Sequence, residues 1–177
     1  VNQYVASSVR TEAGVAVRME TNYPWDGRIM VRVEEAPGAL RLNLRMPGWC
    51  EKYALRVNGA DSGLAPEEGY LRMDVRPGDE IVLDLDMPVR RVYADPRVPE
   101  MRGPVVFCAE EVDNPGIPTE YFHADAALGR DEPLEAYFRA ELFGGVPAIR
   151  AGRLELIPYC LWDNREAGGM AVWFRES

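Results

Sequence analysis

Hydrophobic and polar residues alternate along much of the first half of the chain. The clearest run is 40–46, where leucine or methionine occupies every second position and arginine or asparagine stands between them. Because successive side chains of a strand point to opposite faces of a sheet, this pattern predicts a half-buried antiparallel strand. The same alternation predicts further strands around residues 15–19, 29–33, 55–57, 71–75 and 81–87.

Short turn signals separate these runs. They are Asp26-Gly27, Pro37-Gly38, Pro47-Gly48, Asn58-Gly59 and Pro77-Gly78. Short strands separated by turns at intervals of roughly ten to twenty residues are typical of β-sandwiches and jelly rolls. No helical i, i+3, i+4, i+7 pattern competes before residue 120. We therefore expect an all-β fold, an antiparallel β-sandwich or jelly roll.

The pattern is less regular in the second half. The continuous apolar run 105–109 predicts a strand that is buried on both faces. Residues 110–133, rich in Asp, Pro, Gly and Ala, predict a long surface segment with a helical turn near 124–128. Residues 134–143 fit a strand or a short helix, whereas 154–161 and 170–174 predict strands.

The length of 177 residues allows one large domain or two small ones. Asp95, Pro96 and Pro99 interrupt strand pairing between two strand-rich blocks, so we expect two packed sandwich domains, 1–98 and 99–177. The chain opens without methionine on residues that already fit the inside of a strand. This start indicates a piece of a longer protein.

The net charge and the cysteine content argue against several classes of function. With 20 basic and 29 acidic side chains, the formal net charge is −9, which argues against nucleic acid and anionic membrane surfaces as partners. No apolar run approaches the roughly 20 residues that span a bilayer, which predicts a soluble chain. Cys50, Cys108 and Cys160 form no Cys-x-x-Cys pair, and we expect reduced, buried thiols in a bacterial cytoplasmic protein, with no metal site.

Few residues suggest catalysis. His123 is the sole histidine and could act as a general base paired with Asp125, but no nucleophile stands nearby and a structural role is favoured. Asp84 and Asp86 share one face of an alternating strand, which indicates a solvated face rather than a glycosidase pair. We expect no catalytic residue in this chain.

Aromatic residues beside turns are the remaining candidates for a binding site. They are Tyr23, Trp25, Trp49 and Trp162. These rings could stack on sugars, as in carbohydrate-binding modules. They could also cap the open ends of the sandwich or bury against a neighbouring domain, and this structural role is favoured. The sequence leaves both interpretations open.

Five groups of short motifs carry a resemblance over nearly the whole chain. They are NYPWDG at 22–27; RMPGW at 45–49 with VNG at 57–59; GD at 78–79 with MPVRRV at 87–92; RGPVVFCAE at 102–110 with DN at 113–114; and IPY at 157–159 with Trp162, NR at 164–165, Met170 and VW at 172–173. In this order they resemble the C-terminal portion of glycoside hydrolase family 127, the β-L-arabinofuranosidase-like enzymes. The stretch before Arg102 is shorter than the family pattern, Phe107 replaces a tyrosine, and Asp163 replaces a small residue.

The resemblance implies a role without catalysis. In that family an (α/α)6 barrel carries a cysteine nucleophile in a zinc site and a glutamate acid/base, and β-sandwich middle and C-terminal domains follow it. None of those catalytic motifs occurs here, so zinc is expected only in the barrel and no cofactor in this chain. The implied partner is the barrel of the same polypeptide, and the sandwiches could wall one side of its substrate cleft or a dimer interface. A second copy in a homodimer, which would cover an apolar patch left by a missing barrel, and a plant-derived glycan are further expected partners.

Overall fold

The chain is almost entirely β. The computed structural model describes residues 1–93, 97–98 and 100–177, with the backbone alone at 97, 98, 100, 124 and 125. Strands account for 47% and helical turns for 7%, which confirms the predicted all-β class. Among the described residues, none lies in a helix of the length and apolarity needed to cross a membrane. The chain divides into two units, Val1–Met87 and Pro88–Ser177.

The first unit, all of which is described, is an antiparallel assembly of eight strands. They are β1 (Ser7–Arg10), β2 (Ala16–Thr21), β3 (Arg28–Glu35), β4 (Leu40–Arg45), β5 (Tyr53–Val57), β6 (Ala60–Asp61), β7 (Tyr70–Val75) and β8 (Glu80–Leu85). Six of them form a sheet in the order β1-β2-β3-β8-β5-β6. The other two, β4 and β7, pair with each other.

A single core lies between the six-stranded sheet and the β4–β7 pair. Leu42 and Leu44 of β4 are buried, while the arginine and asparagine side chains between and beside them are exposed. They share one hydrophobic cluster with Val31 of β3, Leu71 of β7 and Leu83 of β8. Burying each such side chain contributes about 1.5–3 kcal/mol, so the alternation of the sequence is what holds the two layers together.

The second unit contains the remaining described strands. They are β9 (Val89–Arg91), β10 (Arg97–Val98), β11 (Glu100–Arg102), β12 (Val105–Glu110), β13 (Ala127–Leu128), β14 (Leu134–Arg139), β15 (Val146–Ala151), β16 (Leu154–Pro158), β17 (Met170–Ala171) and β18 (Phe174–Glu176). The larger sheet has the order β14-β15-β16-β12-β11-β9, with β17 also on β12. In the smaller sheet β10 and β13 flank β18, and the β13–β18 pair is parallel.

Helical turns interrupt the second unit at three described places. They are 3₁₀ turns at Glu111–Asp113 and Tyr159–Leu161 and a π-type turn at Tyr121–Asp125. The turn expected near 124–128 therefore comes earlier, since Ala127–Leu128 is a strand.

The structure decides the ambiguous segment 134–143. It is strand β14 from Leu134 to Arg139, because each of its residues pairs with β15, and it then turns back. The strand predicted at 105–109 is confirmed as β12, which is buried on both faces. The strand predicted at 154–161 ends at Pro158.

The division between the units falls between Met87 and Pro88 rather than at the expected 98/99. Strand β9 pairs with β11, and β11 pairs with β12, so the segment after Pro88 joins the sheet of the second unit. Asp95, Pro96 and Pro99, on which the expected boundary rests, lie outside the described residues.

Candidate functional site

Two of the four aromatic candidates come together in the first unit. Tyr23 and Trp49 are both half-buried against its core. The indole of Trp49 hydrogen bonds to the phenol of Tyr23, and the Tyr23 ring meets Tyr4 edge-on at 5.8 Å between centroids. Burial raises the pKa of Tyr23. These are the contacts of rings that close the edge of a hydrophobic core.

Trp25 lies in the same loop as Tyr23 and is also half-buried. Its backbone N–H donates to Asn22 O at 2.8 Å, which forms the turn. The loop borders a shallow concavity of about 270 Å³ whose described lining is mostly polar and includes no aromatic ring: Glu20, Thr21, Asn22, Asp26, Arg28 and Met30.

Trp162 belongs to the second unit and has a different environment. It is 40% exposed, and Tyr159, 43% exposed, lies beside it. The two rings are parallel within 8°, with centroids 6.2 Å apart. The 3₁₀ turn Tyr159–Leu161 brings them onto one side of the chain. Sequence reasoning missed Tyr159 as a candidate, although it lies only three residues before Trp162.

The loop that carries Trp162 is anchored by a buried ion network. Arg165 donates to Asp113 through both Nη atoms, at 2.7 and 2.5 Å, and also to Glu110. Glu110 Oε1 accepts from the backbone N–H of Asp163 at 2.8 Å. The side chains of Glu110 and Asp113 are only 5% and 4% exposed. Buried carboxylates need such partners, because an unpaired buried charge is strongly unfavourable.

Further groups complete this network. Arg139 Nη1 donates to Asp113 Oδ1 at 2.7 Å. Burial raises the pKa of Asp113, but the hydrogen bonds from Arg165 and Arg139 outweigh it and hold that pKa below its ordinary value. Asn114 is buried, donates to Glu110 O at 2.7 Å and accepts from Glu155 N at 2.8 Å. The network therefore ties the end of β12 to the loop after β16.

His123 is exposed and lines a groove of about 210 Å³ in the second unit. The side chain of Asp125, its expected partner, lies outside the described residues. We call this concavity the Trp173 groove, after an indole that sequence reasoning missed, and its lining residues are Phe122, His123, Ala126, Met170, Ala171, Val172, Trp173 and Arg175. No carboxylate is among these lining residues.

Comparison with known families accounts for both units. Residues 1–87 match the middle domain of GH127 β-L-arabinofuranosidases, and residues 89–175 match the C-terminal domain of glycoside hydrolase family 127. The chain belongs to glycoside hydrolase family 127. The junction between the two matches coincides with the division at Met87 and Pro88, and the resemblance seen in the sequence motifs is confirmed.

Individual family 127 proteins resemble the chain throughout. It is 37% identical to the non-reducing end β-L-arabinofuranosidase of Bifidobacterium longum subsp. longum, covering 98% of this chain and 32% of the relative. The solved GH127 β-L-arabinofuranosidase from Geobacillus stearothermophilus T6 matches 99% of this chain and 33% of its own, with 34% identity and a TM-score of 0.85. Another solved GH127 β-arabinofuranosidase has 25% identity and a TM-score of 0.80, covering 97% and 33%. The chain thus spans about a third of the length of these relatives.

The three cysteines of this family 127 chain differ in their burial. Within the described part of the chain, no three His, Cys, Asp or Glu side chains are grouped as metal ligands. Cys108 is buried, and burial raises its pKa to about 12. Cys50 is half-buried, with Sγ 3.1 Å from Lys52 O. The expectation that Cys160 is buried was wrong: the strand ends at Pro158, and Cys160 is exposed in the turn that follows.

Proposed function

We propose that this chain is the non-catalytic β-sandwich portion of a β-L-arabinofuranosidase and that it supports an (α/α)6 catalytic barrel. The observation that carries the proposal is the match of 1–87 and 89–175 to the middle and C-terminal domains of the family. These two matches account for nearly the whole chain, so no segment of catalytic-domain length remains.

Two buried carboxylates support the same role. Glu110 and Asp113 lie close together, which a glycosidase pair would require, but both already accept hydrogen bonds from Arg165. A general acid needs a raised pKa, and the pKa of Asp113 is lowered. This pair therefore anchors a loop and does not supply an acid and a base.

A domain-replacement experiment tests the proposal. The corresponding third of the Bifidobacterium longum β-L-arabinofuranosidase is replaced by this chain, and hydrolysis of a β-L-arabinofuranoside is measured. We expect the hybrid to be active, and both the relative without that third and the isolated chain to be inactive. Zinc-dependent release of arabinose by the isolated chain would contradict the proposal, as would full activity of the truncated relative.

A second candidate function is carbohydrate binding through the loop aromatics. The observation that favours it is the exposed, parallel arrangement of Trp162 and Tyr159 on an anchored loop. Calorimetric titration with arabino-oligosaccharides, plant-derived glycans among them, tests it. Saturable binding that the Trp162→Ala variant loses would support this function, whereas binding that is equal in both proteins would exclude Trp162 as the platform.

Homodimer formation is a further proposal that rests on the exposed aromatic side chains of the second unit. Phe138 and Phe143 are 63% and 46% exposed. Exposed aromatic side chains mark an interface where they form one patch, and we propose that these two rings meet a second copy of the chain. Sedimentation of the full chain at several concentrations tests it: a concentration-independent monomer would exclude the dimer.

A further inference from the structure

The Trp173 groove has two walls from different parts of the chain. One is the turn Tyr121–Asp125 with Ala126, and the other is the segment from Met170 to Arg175. Its volume of about 210 Å³ lies below the roughly 300–1,000 Å³ of pockets that hold drug-sized ligands. The groove therefore suits a ligand of about one ring.

Both walls are held in place by contacts within the second unit. The backbone N–H of Arg175 donates to Ala126 O at 2.8 Å, which joins one wall to the other. Gly169 precedes the second wall and lies so close to Phe122 that a Cβ on Gly169 would be 2.9 Å from the Phe122 Cβ. Its N–H also donates to Glu111 Oε2 at 2.9 Å. A site that is already ordered loses less entropy when a ligand binds.

The aromatic ring of Trp173 is exposed to solvent and not buried in the core. It is 44% exposed, whereas Ala171 and Phe174 near it in the chain are 5% and 1% exposed. An indole offers a flat apolar face together with one N–H donor. Such a ring at the edge of a polar groove is suited to a ligand with one apolar face and polar edges.

Polar groups of the groove complement that ring. His123 can both donate and accept a hydrogen bond, and Arg175 offers several donors. The carboxylate of Glu111, which accepts a hydrogen bond from the backbone N–H of Gly169, interacts electrostatically with His123. A carboxylate beside the groove favours an uncharged ligand rich in hydroxyl groups over an anion.

We propose that the Trp173 groove binds a single neutral sugar ring, with the apolar face of the sugar against the indole and its hydroxyls on His123 and Arg175. No carboxylate pair is among the described lining residues, so the site would hold the sugar without cleaving it. The proposal is independent of whether the chain supports a catalytic barrel, because every lining residue belongs to the second unit.

Titration of the full chain, followed by the NMR signals of its four indole N–H groups, tests this proposal. The probes are L-arabinose, methyl β-L-arabinofuranoside and D-glucose, and the Trp173→Phe and Trp162→Phe variants assign the two relevant signals. We expect a saturable shift of the Trp173 signal with at least one of these single-ring sugars.

Variants and controls sharpen the test. Trp173→Ala should raise the dissociation constant roughly tenfold or more, and His123→Ala should raise it severalfold. Phe143→Ala is the matched control, since Phe143 is 46% exposed in the same unit and does not line the groove, and it should bind as the wild type does. Unchanged signals of the remaining indoles show that a variant is folded. A saturable shift of Trp162 in place of Trp173, or no saturable shift with any of the three sugars, would overturn the proposal.

Discussion

Arg165 holds Asp113 with both terminal nitrogens of its guanidinium group, across 52 positions of the chain. This paired contact joins the loop after β16 to the 3₁₀ turn after β12. Because Asp113 and the neighbouring Glu110 are buried, the arrangement depends on the arginine being present. The position of the exposed Trp162 therefore depends on a contact that is distant in sequence.

Replacing Arg165 should destabilise the second unit. Arg165→Ala leaves two buried carboxylates without their shared partner, and removing one partner of a buried ion pair typically costs about 3–5 kcal/mol. Urea unfolding followed by circular dichroism measures this loss. Arg32→Ala is the control, because Arg32 and Glu80 form a pair that is 52% and 39% exposed, and its loss should be below about 1 kcal/mol. Equal losses in the two variants would contradict the prediction.

Acid should weaken the same network. The pKa of Asp113 in the folded state lies below its ordinary value of about 3.9, so its contribution to stability is complete above that value. The contribution is lost as the pH falls through the folded-state pKa. The urea midpoint of the wild type should therefore fall more steeply below about pH 4 than that of Asp113→Asn, which has no carboxylate to protonate at this position. Parallel pH profiles of the two proteins would show that Asp113 does not contribute.

Gly27 should tolerate no side chain. A Cβ at this position would lie 2.0 Å from the backbone oxygen of Leu85, and the two residues are joined by a hydrogen bond from Leu85 N to Gly27 O. Gly27→Ala should cost at least the roughly 1–3 kcal/mol of an overpacked site. Gly38→Ala is the control, since nothing lies within 4 Å of its added Cβ, and it should be neutral or stabilise by up to about 1 kcal/mol. If both variants unfold at the same urea concentration as the wild type, the backbones of Gly27 and Leu85 can move apart at little cost. That outcome would contradict the prediction.

The three thiols should react at different rates. Cys160 is exposed and should react first with Ellman's reagent at about pH 8. Cys108 is buried with a pKa raised to about 12, so it should react only after unfolding in urea. Cys160→Ser should remove the fast phase. A fast phase that survives in this variant would place the reactive thiol elsewhere.

The alternation of the sequence predicted most strands of the first unit because each strand there has one buried and one exposed face. Leu42 and Leu44 are buried and the side chains between and beside them are exposed, as the period of two requires. In the second unit this signal was weaker. Residues 134–143 were ambiguous from their own pattern, and pairing with β15 made the first part a strand.

Turn residues were located correctly, but their physical role was not always the expected one. Gly59 and Gly78 adopt the positive φ angles for which turn glycines are selected. Gly27 does not, and it is needed because the backbone of Leu85 approaches it closely. The approach of two backbones that are distant in the chain has no local sequence signal.

By itself the sequence determined the all-β class, the strands with one buried face and, through its motifs, the family. Only the tertiary structure decided the division at Met87 and Pro88, the exposure of Cys160 and which aromatic rings are available to a ligand. It paired Tyr23 with Trp49 at the edge of a core and left Trp162 and Trp173 exposed. The physical reason is that the alternation of hydrophobic and polar residues indicates only which face of a strand is buried. Ion pairs such as Arg165 with Asp113, close backbone approaches and the ends of loops depend on residues that folding brings together from distant parts of the chain.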